Sequence, residues 1–279
     1  MIKKTFLSLY TSLLGYCARR VIHRTHPYII GVTGSVGKTT ARLIVTQTIQ
    51  QLLPHVHILT SPKNFNGDMG FSLSILGIES FTPSLGGYLC GMGQAIWSVV
   101  FAPHYDIMVL EYGIDYPGEM DKLLSIAVPD IGIITRIDAV HSQQMGDPTH
   151  IAEQKRKMID ASKDIVFLNM DDVYIKQMDD RTDADILWYS IIDGALGDIG
   201  YTHATLQTSE VSLLMTEVEL FTGDRNWIGS VNILSKALVS YVAIGMSIVS
   251  VIAYRRQEKT QELNHLSYHL QPGRLSLFQ

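Results

Sequence analysis

The stretch Tyr28–Leu53, YIIGVTGSVGKTTARLIVTQTIQQLL, leaves a chain few ways to fold. A β-branched run feeds a glycine-rich turn. From Thr39 onward the apolar residues Leu43, Ile44, Ile49 and Leu52 recur at helical spacing until Pro54 stops the pattern. Gly34 and Gly37 let the backbone turn tightly and aim its N–H groups into the concavity. The helix beginning near Lys38 adds the positive end of its dipole, and Lys38 can neutralise terminal phosphates, so the loop suits a polyphosphate. Thr39 offers a hydroxyl to Mg2+. The strict triphosphate-loop pattern G-x-x-x-x-G-K-[ST] is nevertheless not met, because Val32 stands where its first glycine should be.

The rest of the chain repeats this alternation. Further strands are expected at His57–Thr60, Asp106–Tyr112, Ile131–Ile137 and Asp164–Asn169, with helices between them at about Gly70–Leu76, Gly118–Ala127 and Thr149–Ser162. That order predicts an α/β fold, a mostly parallel sheet with helices on both faces. After Ile186–Ser190 polar and apolar residues alternate through Thr208–Phe221, which predicts a small antiparallel β addition at the edge.

With 279 residues, 46% of them apolar and 18% charged, the chain can bury a sizeable core. A net charge of −5 gives no global reason to expect a nucleic-acid partner. Cys17 and Cys90 make neither a metal spacing nor a disulfide framework, which fits a reducing cytoplasm. The first twenty residues have a basic start and an apolar middle like a signal peptide. They lack a small-x-small cleavage site and end in Arg19 and Arg20, so they read as an amphipathic helix docked on the core. Ala237–Tyr254 is near membrane-spanning length but carries serines and Gly245, and reads as a buried helix; membrane contact is not expected.

Three further residues draw notice by their chemistry. Glu111 closes the apolar run DIMVLE, where a carboxylate is costly without a partner such as a metal near the loop. His141 follows a strand after a short loop and so belongs at the carboxyl edge of the sheet, where ligands bind in such folds. Lys155 and Lys157 share the helical stretch IAEQKRKMI, whose plainest reading is a solvated basic face.

Taken together, these segments resemble the Mur ligase family from about Tyr28 to Leu275. TGSVGKTT matches that family's shortened loop T-G-[ST]-x-G-K-[ST], which accounts for the failed strict pattern. NFNGDMGFSLSILGI at Asn64–Ile78, VLEYG at Val109–Gly113, HSQQMGDPTHIAEQKRKMI at His141–Ile159 and LNMDD at Leu168–Asp172 follow in the family's order. The resemblance implies a P-loop NTPase-like central domain at residues 28–275, preceded at 1–27 by a helix in place of a UDP-binding domain. Residues 276–279 would start the hinge to an absent C-terminal domain of about 100–150 residues.

It further implies ATP and Mg2+, with Gly34, Ser35, Gly37, Lys38, Thr39, Thr40, Asn232 and Arg274 at the nucleotide. Thr39, Glu111, His141 and Lys155 would stand at one or two metal ions. The matching lysine would be carbamylated; A-x-x-K-x-x-[IL] selects Lys155, with Lys157 as the alternative register. Asn64 and Asn66 match the segment facing the acceptor substrate, and Lys38, Glu111, His141 and Lys155 would carry the catalysis.

The reaction implied is ATP-dependent amide formation through an acyl phosphate, joining an amino acid or dipeptide to a peptide carboxylate. In the nearest branch D-Ala-D-Ala is added to a UDP-N-acetylmuramoyl peptide. Departures from the pattern are Arg136 where an Asn often sits, Val231 in place of the His of G-x-H-N, and the lack of the third domain's motif. Two other readings stay open: a folyl- or poly-γ-glutamate synthetase-like ligase, and a non-ligating ATP-binding subunit that works through a partner.

Overall fold

The computed structural model describes residues 2–60, 67–138, 147–178, 182–190, 202–205, 216–222, 225–233 and 235–270. Short apolar runs form the strands β1 (Tyr28–Thr33), β2 (Ile58–Thr60), β3 (Ile107–Glu111), β4 (Ile131–Ile134), β5 (Ile165–Asn169) and β6 (Asp185–Ser190). With β7 (Thr202–Thr205) they pair in parallel in the order β2-β3-β1-β4-β5-β6-β7. The antiparallel strands β8 (Thr216–Thr222) and β9 (Arg225–Val231) extend the β7 edge, and β10 (His265–Leu266) adds parallel to β9. Of the alternating stretch Thr208–Phe221, residues 216–221 lie in β8 and continue the main sheet, while residues 208–215 lie outside the described residues.

Period-two alternation sorts the strand residues into two cores. Ile29, Met108, Leu110, Val166 and Leu168 belong to one, and Ile30, Val32, Val109, Ile133 and Phe167 to the other. A sheet covered on both faces has no polar side, which is why the central strands read as unbroken apolar runs. The first face is covered by α1 (Ile2–Thr25), α3 (Gly67–Ile75), α5 (Glu119–Ile126) and α6 (Pro148–Ala161). The second is covered by α2 (Lys38–Leu52) and α8 (Lys236–Arg256), which pack on each other. The four-residue α7 (Val173–Lys176) follows β5.

α8 is, among the described residues, the helix long and apolar enough to cross a membrane, yet 72% of that window is buried inside the fold. It is a core helix, as the sequence predicts. α1 docks through Tyr10, Leu14, Cys17, Ala18 and Val21, spaced to share one face, and joins the same hydrophobic cluster as Ile29.

Two features differ from the sequence reading. β4 ends at Ile134 rather than Ile137, and the next residue, Thr135, donates its hydroxyl to Val36 O at 2.6 Å. A further helix, α4 (Leu85–Phe101), forms where no element is expected. Gly86, Gly87, Gly91 and Gly93 weaken its helix propensity. It is held at its start by Ser84 Oγ accepting the Gly87 N–H at 3.1 Å, and at its end by Arg24, which donates to Ala102 O at 2.8 Å.

Candidate functional site

β1 lies between β3 and β4, so the chain builds outward on both sides of it, and a crevice forms beyond the carboxyl ends of these three strands. The glycine loop fills its floor. Gly34 has φ +142°, and a Cβ there would stand 2.0 Å from Thr135 Oγ1; Gly37 caps α2 at φ +87°, with the Tyr241 hydroxyl 2.8 Å from where its Cβ would be. No other residue fits either place. The loop is tied to the end of β4, with Ser35 N–H donating to Arg136 O at 2.6 Å and Thr135 bridging to Val36.

Lys38 and Thr39 open α2, where the first N–H groups have no carbonyl one turn back. The Lys38 ammonium donates to the Gly34 and Ser35 carbonyls at 2.9 and 3.2 Å. Thr40 follows, buried in the same turn. Thr39 Oγ1 donates to Glu111 Oε2 at 2.9 Å, so the last residue of β3 and the first turn of α2 meet. Arg42, 1% exposed, stands beside the same carboxylate oxygen at 3.7 Å and donates to Thr60 Oγ1 at 2.7 Å.

α6 begins at Asp147, whose carboxylate accepts the His150 N–H, with Pro148 in its first turn. The helix separates the two candidate lysines. Lys155 points into the fold at 3% exposure, and its amine is lowered to about 7, first by burial and then by the charge of Lys38, against the opposing pull of Asp115 and Glu111. Lys157 faces outward and pairs with Asp121 at 2.7 Å. Lys38, Thr39, Glu111 and Lys155, far apart in sequence, thus come into one electrostatic neighbourhood.

Other expected residues are placed differently. The Asn232 amide brackets the backbone of Tyr268, donating to its O at 3.0 Å and accepting from its N–H at 2.7 Å; this staples the segment after β10 to the end of β9. Asn64, Asn66, His141 and Arg274 lie outside the described residues. Sequence reasoning missed Thr135, Arg42 and Tyr241, because each reaches the loop through the fold. Beside the loop a cavity of about 350 Å³ opens at the ends of β4, β5 and β6, lined by Arg136, Asn169, Asp171, Tyr189 and Tyr241 among others. Burial pushes the Tyr241 hydroxyl up to about 12, with Arg136 opposing. In the LNMDD turn, Asn169 donates to Thr135 O, and Asp172 caps α7 while accepting the Ile137 N–H. That motif is the brace of the cavity wall.

The donors suit the group that the loop implies. Ser35 Oγ is buried without a hydrogen-bond partner among the described residues. A hydroxyl and a carboxylate in contact are the hard oxygen ligands that Mg2+ takes while keeping several waters. Among the described residues no three His, Cys, Asp or Glu side chains converge, so an ion here would lean on Thr39 and Glu111 together with bound phosphate.

Sheet order, glycine loop and the Thr39–Glu111 contact define a P-loop NTPase-like α/β domain. Within that class the Mur ligase middle domain matches residues 32–242, and the chain belongs to that family. The UDP-N-acetylmuramoyl-tripeptide–D-alanyl-D-alanine ligase of Mycobacterium leprae is 27% identical over 161 residues, 57% of this chain and 26% of that protein. The Bacillus subtilis enzyme of the same name is 30% identical over 136 residues, 49% of this chain and 24% of its own. The MurF ligase of Thermotoga maritima, solved with ADP, superposes with a TM-score of 0.70 at 21% identity over 95% of this chain and 53% of that one. The matched region thus spans about a quarter of these curated relatives and about half of the solved chain.

Proposed function

We propose that the chain is the ATP-binding core of a cytoplasmic amide-forming ligase that joins D-Ala-D-Ala to a UDP-N-acetylmuramoyl peptide in peptidoglycan precursor synthesis. The observation that carries this reading is the convergence of Lys38, Thr39, Glu111 and the buried Lys155 at the mouth of the glycine loop. The names of the relatives supply the choice of substrates.

In this reading the loop N–H groups and the α2 N-terminus hold the ATP phosphates, and Lys38 offsets the charge that gathers on the phosphoryl oxygens as the peptide carboxylate attacks. Thr39 and Glu111, with His141, would hold Mg2+, which when bound neutralises phosphate charge. Arg42 keeps Glu111 in place from behind. An amine lowered to about 7 is partly neutral at physiological pH, so Lys155 can take up CO2 and release a proton, becoming a carbamate in place of a cation. Asn64 and Asn66 would bind the acceptor peptide and Arg274 the nucleotide, while Asn232, its amide held by the Tyr268 backbone, would act there only by positioning that segment. Residues 28–275 form the catalytic core, 1–27 a helix docked on it, and 276–279 a hinge to a further domain that brings the incoming amine.

The test is incubation of the protein as its own cell makes it with ATP, Mg2+, UDP-linked tripeptide and D-Ala-D-Ala, read by mass spectrometry for the pentapeptide and by phosphate release. Matching amounts of both are expected. Product with glutamate as the only amine would move the chain to the glutamate-adding ligases, and ATP binding without amide product would make it a subunit that works through a partner.

A further inference from the structure

α1 and α4 carry an apolar face that the ligase reading does not use. The helices run side by side in the same direction: the Tyr10 ring meets Tyr88 edge-on at 4.9 Å near their starts, and Arg24 reaches Ala102 O near their ends. On α4 the residues Leu85, Leu89, Ile96 and Val100 fall at i, i+4, i+11 and i+15, a single stripe, and all are exposed, Leu85 by 77%. Trp97 and Phe101 pack against each other beside it, their rings tilted at 4.2 Å, with Trp97 64% exposed. On α1, Leu9, Leu13 and Tyr16 follow the same rule, at i, i+4 and i+7. Exposed apolar stripes of this kind on two adjacent helices mark a contact.

Charge decides what the contact is. The sequence has no acidic residue before Asp68, and α1 carries the exposed Arg19, Arg20 and Arg24 toward its end. From Ser80 to Tyr105, which includes all of α4, there is no Asp, Glu, Lys or Arg. The face is therefore apolar, with cations where α1 ends, in a chain whose net charge is −5. A contact between two copies of this face must supply its own counter-charges, and neither α1 nor α4 contains an Asp or Glu to do so. An anionic bilayer supplies them, and aromatic side chains such as Trp97, Phe101 and Tyr16 settle at the headgroup level.

We infer that the α1–α4 face lies on the surface of an anionic membrane, holding the domain against the lipid with the glycine loop at the edge of the sheet. This departs from the expectation drawn from the sequence, which had no α4 to weigh. It is peripheral attachment: the inner face of α1 stays in the hydrophobic core.

The test is co-sedimentation of the full-length protein with phosphatidylcholine vesicles, with and without phosphatidylglycerol. Binding to the anionic vesicles that weakens with salt is expected, with a blue shift of tryptophan emission that Trp97→Phe abolishes while Trp188 and Trp227 remain. Leu89→Gln with Trp97→Gln should lower partitioning at least about tenfold. Arg20→Gln should lower it about fivefold on anionic vesicles alone. Unchanged melting temperatures would show that these exposed substitutions leave the fold intact. Absence of vesicle binding overturns the inference, as does binding indifferent to Leu89 and Trp97. Self-association that the double substitution abolishes, without lipid binding, would give the face to a second copy. Binding by residues 1–279 alone but not by a longer native protein would give it to another domain.

Discussion

The two edges of the sheet use charged residues in opposite ways. At the amino edge, Asp106, Asp130 and Asp164 each stand just before a strand and are answered by a cation: Arg256 at 2.9 Å, Lys163 at 3.0 Å and Arg255 at 2.8 Å. The same carboxylates accept strand-start groups, the His57 N–H, the Ile29 N–H and the Tyr28 hydroxyl. Burial alone would raise the Asp106 carboxyl, but the His57 N–H and Arg256 hold it below the usual carboxylate range. At the carboxyl edge the charges are crowded: Arg42 stands 3.7 Å from Glu111, the buried Lys155 feels both Glu111 and Lys38, and its amine is forced toward neutrality. Paired, solvated charges clip strands together. Crowded ones shift each other's protonation, which is what a site of chemistry does.

The comparison can be broken at several points. Lys38→Ala should cut ATP turnover about a thousandfold, read by phosphate release, and a loss under about tenfold would remove this lysine from the phosphate site. Lys155→Ala should cost about a hundredfold and be partly restored by short carboxylates that stand in for the carbamate, while Lys157→Ala, which loses only a surface pair, should stay within about twofold. Full activity of the first variant, or equal loss in both, would place the role elsewhere.

Stability against pH sharpens the same contrast. The Lys155 amine is near 7 in the folded protein and higher when unfolded, so between these values the unfolded chain binds the extra proton and stability must rise with pH. In CO2-free buffer the gain from pH 7 to 9 should be about 2 kcal/mol by denaturant titration, and Lys155→Met should flatten it. A slope that survives the substitution would belong to another group. The smallest effect is expected at the amino edge, where Arg255→Gln should cost under about 1 kcal/mol and leave turnover unchanged.

Much of the site is legible in the sequence because its chemistry is local. Gly34, Gly37, Lys38 and Thr39 are consecutive features of one turn, and the left-handed backbone at Gly37 is a property of that residue. Glu111 stands out as the charge that ends an apolar strand. The register of Lys155 against Lys157 is different, since neighbouring helix positions differ only in what surrounds them, here the buried neighbourhood of Lys38 and Glu111 against a surface pair with Asp121. Asn232 shows the reverse: a motif position whose amide is taken by Tyr268, 36 residues away. α4 escaped because its glycines argue against a helix, and only capping by Ser84 and Arg24 and packing on α1 outweigh them.

What this sequence determined by itself is the α/β alternation, the phosphate-type loop and the buried nature of α8, since apolar periodicity and glycine freedom act over a few residues. What only the tertiary structure decided is which charges share a space and which apolar stripes stay uncovered. Burial and electrostatic coupling depend on distance in space, and a linear chain does not state that distance.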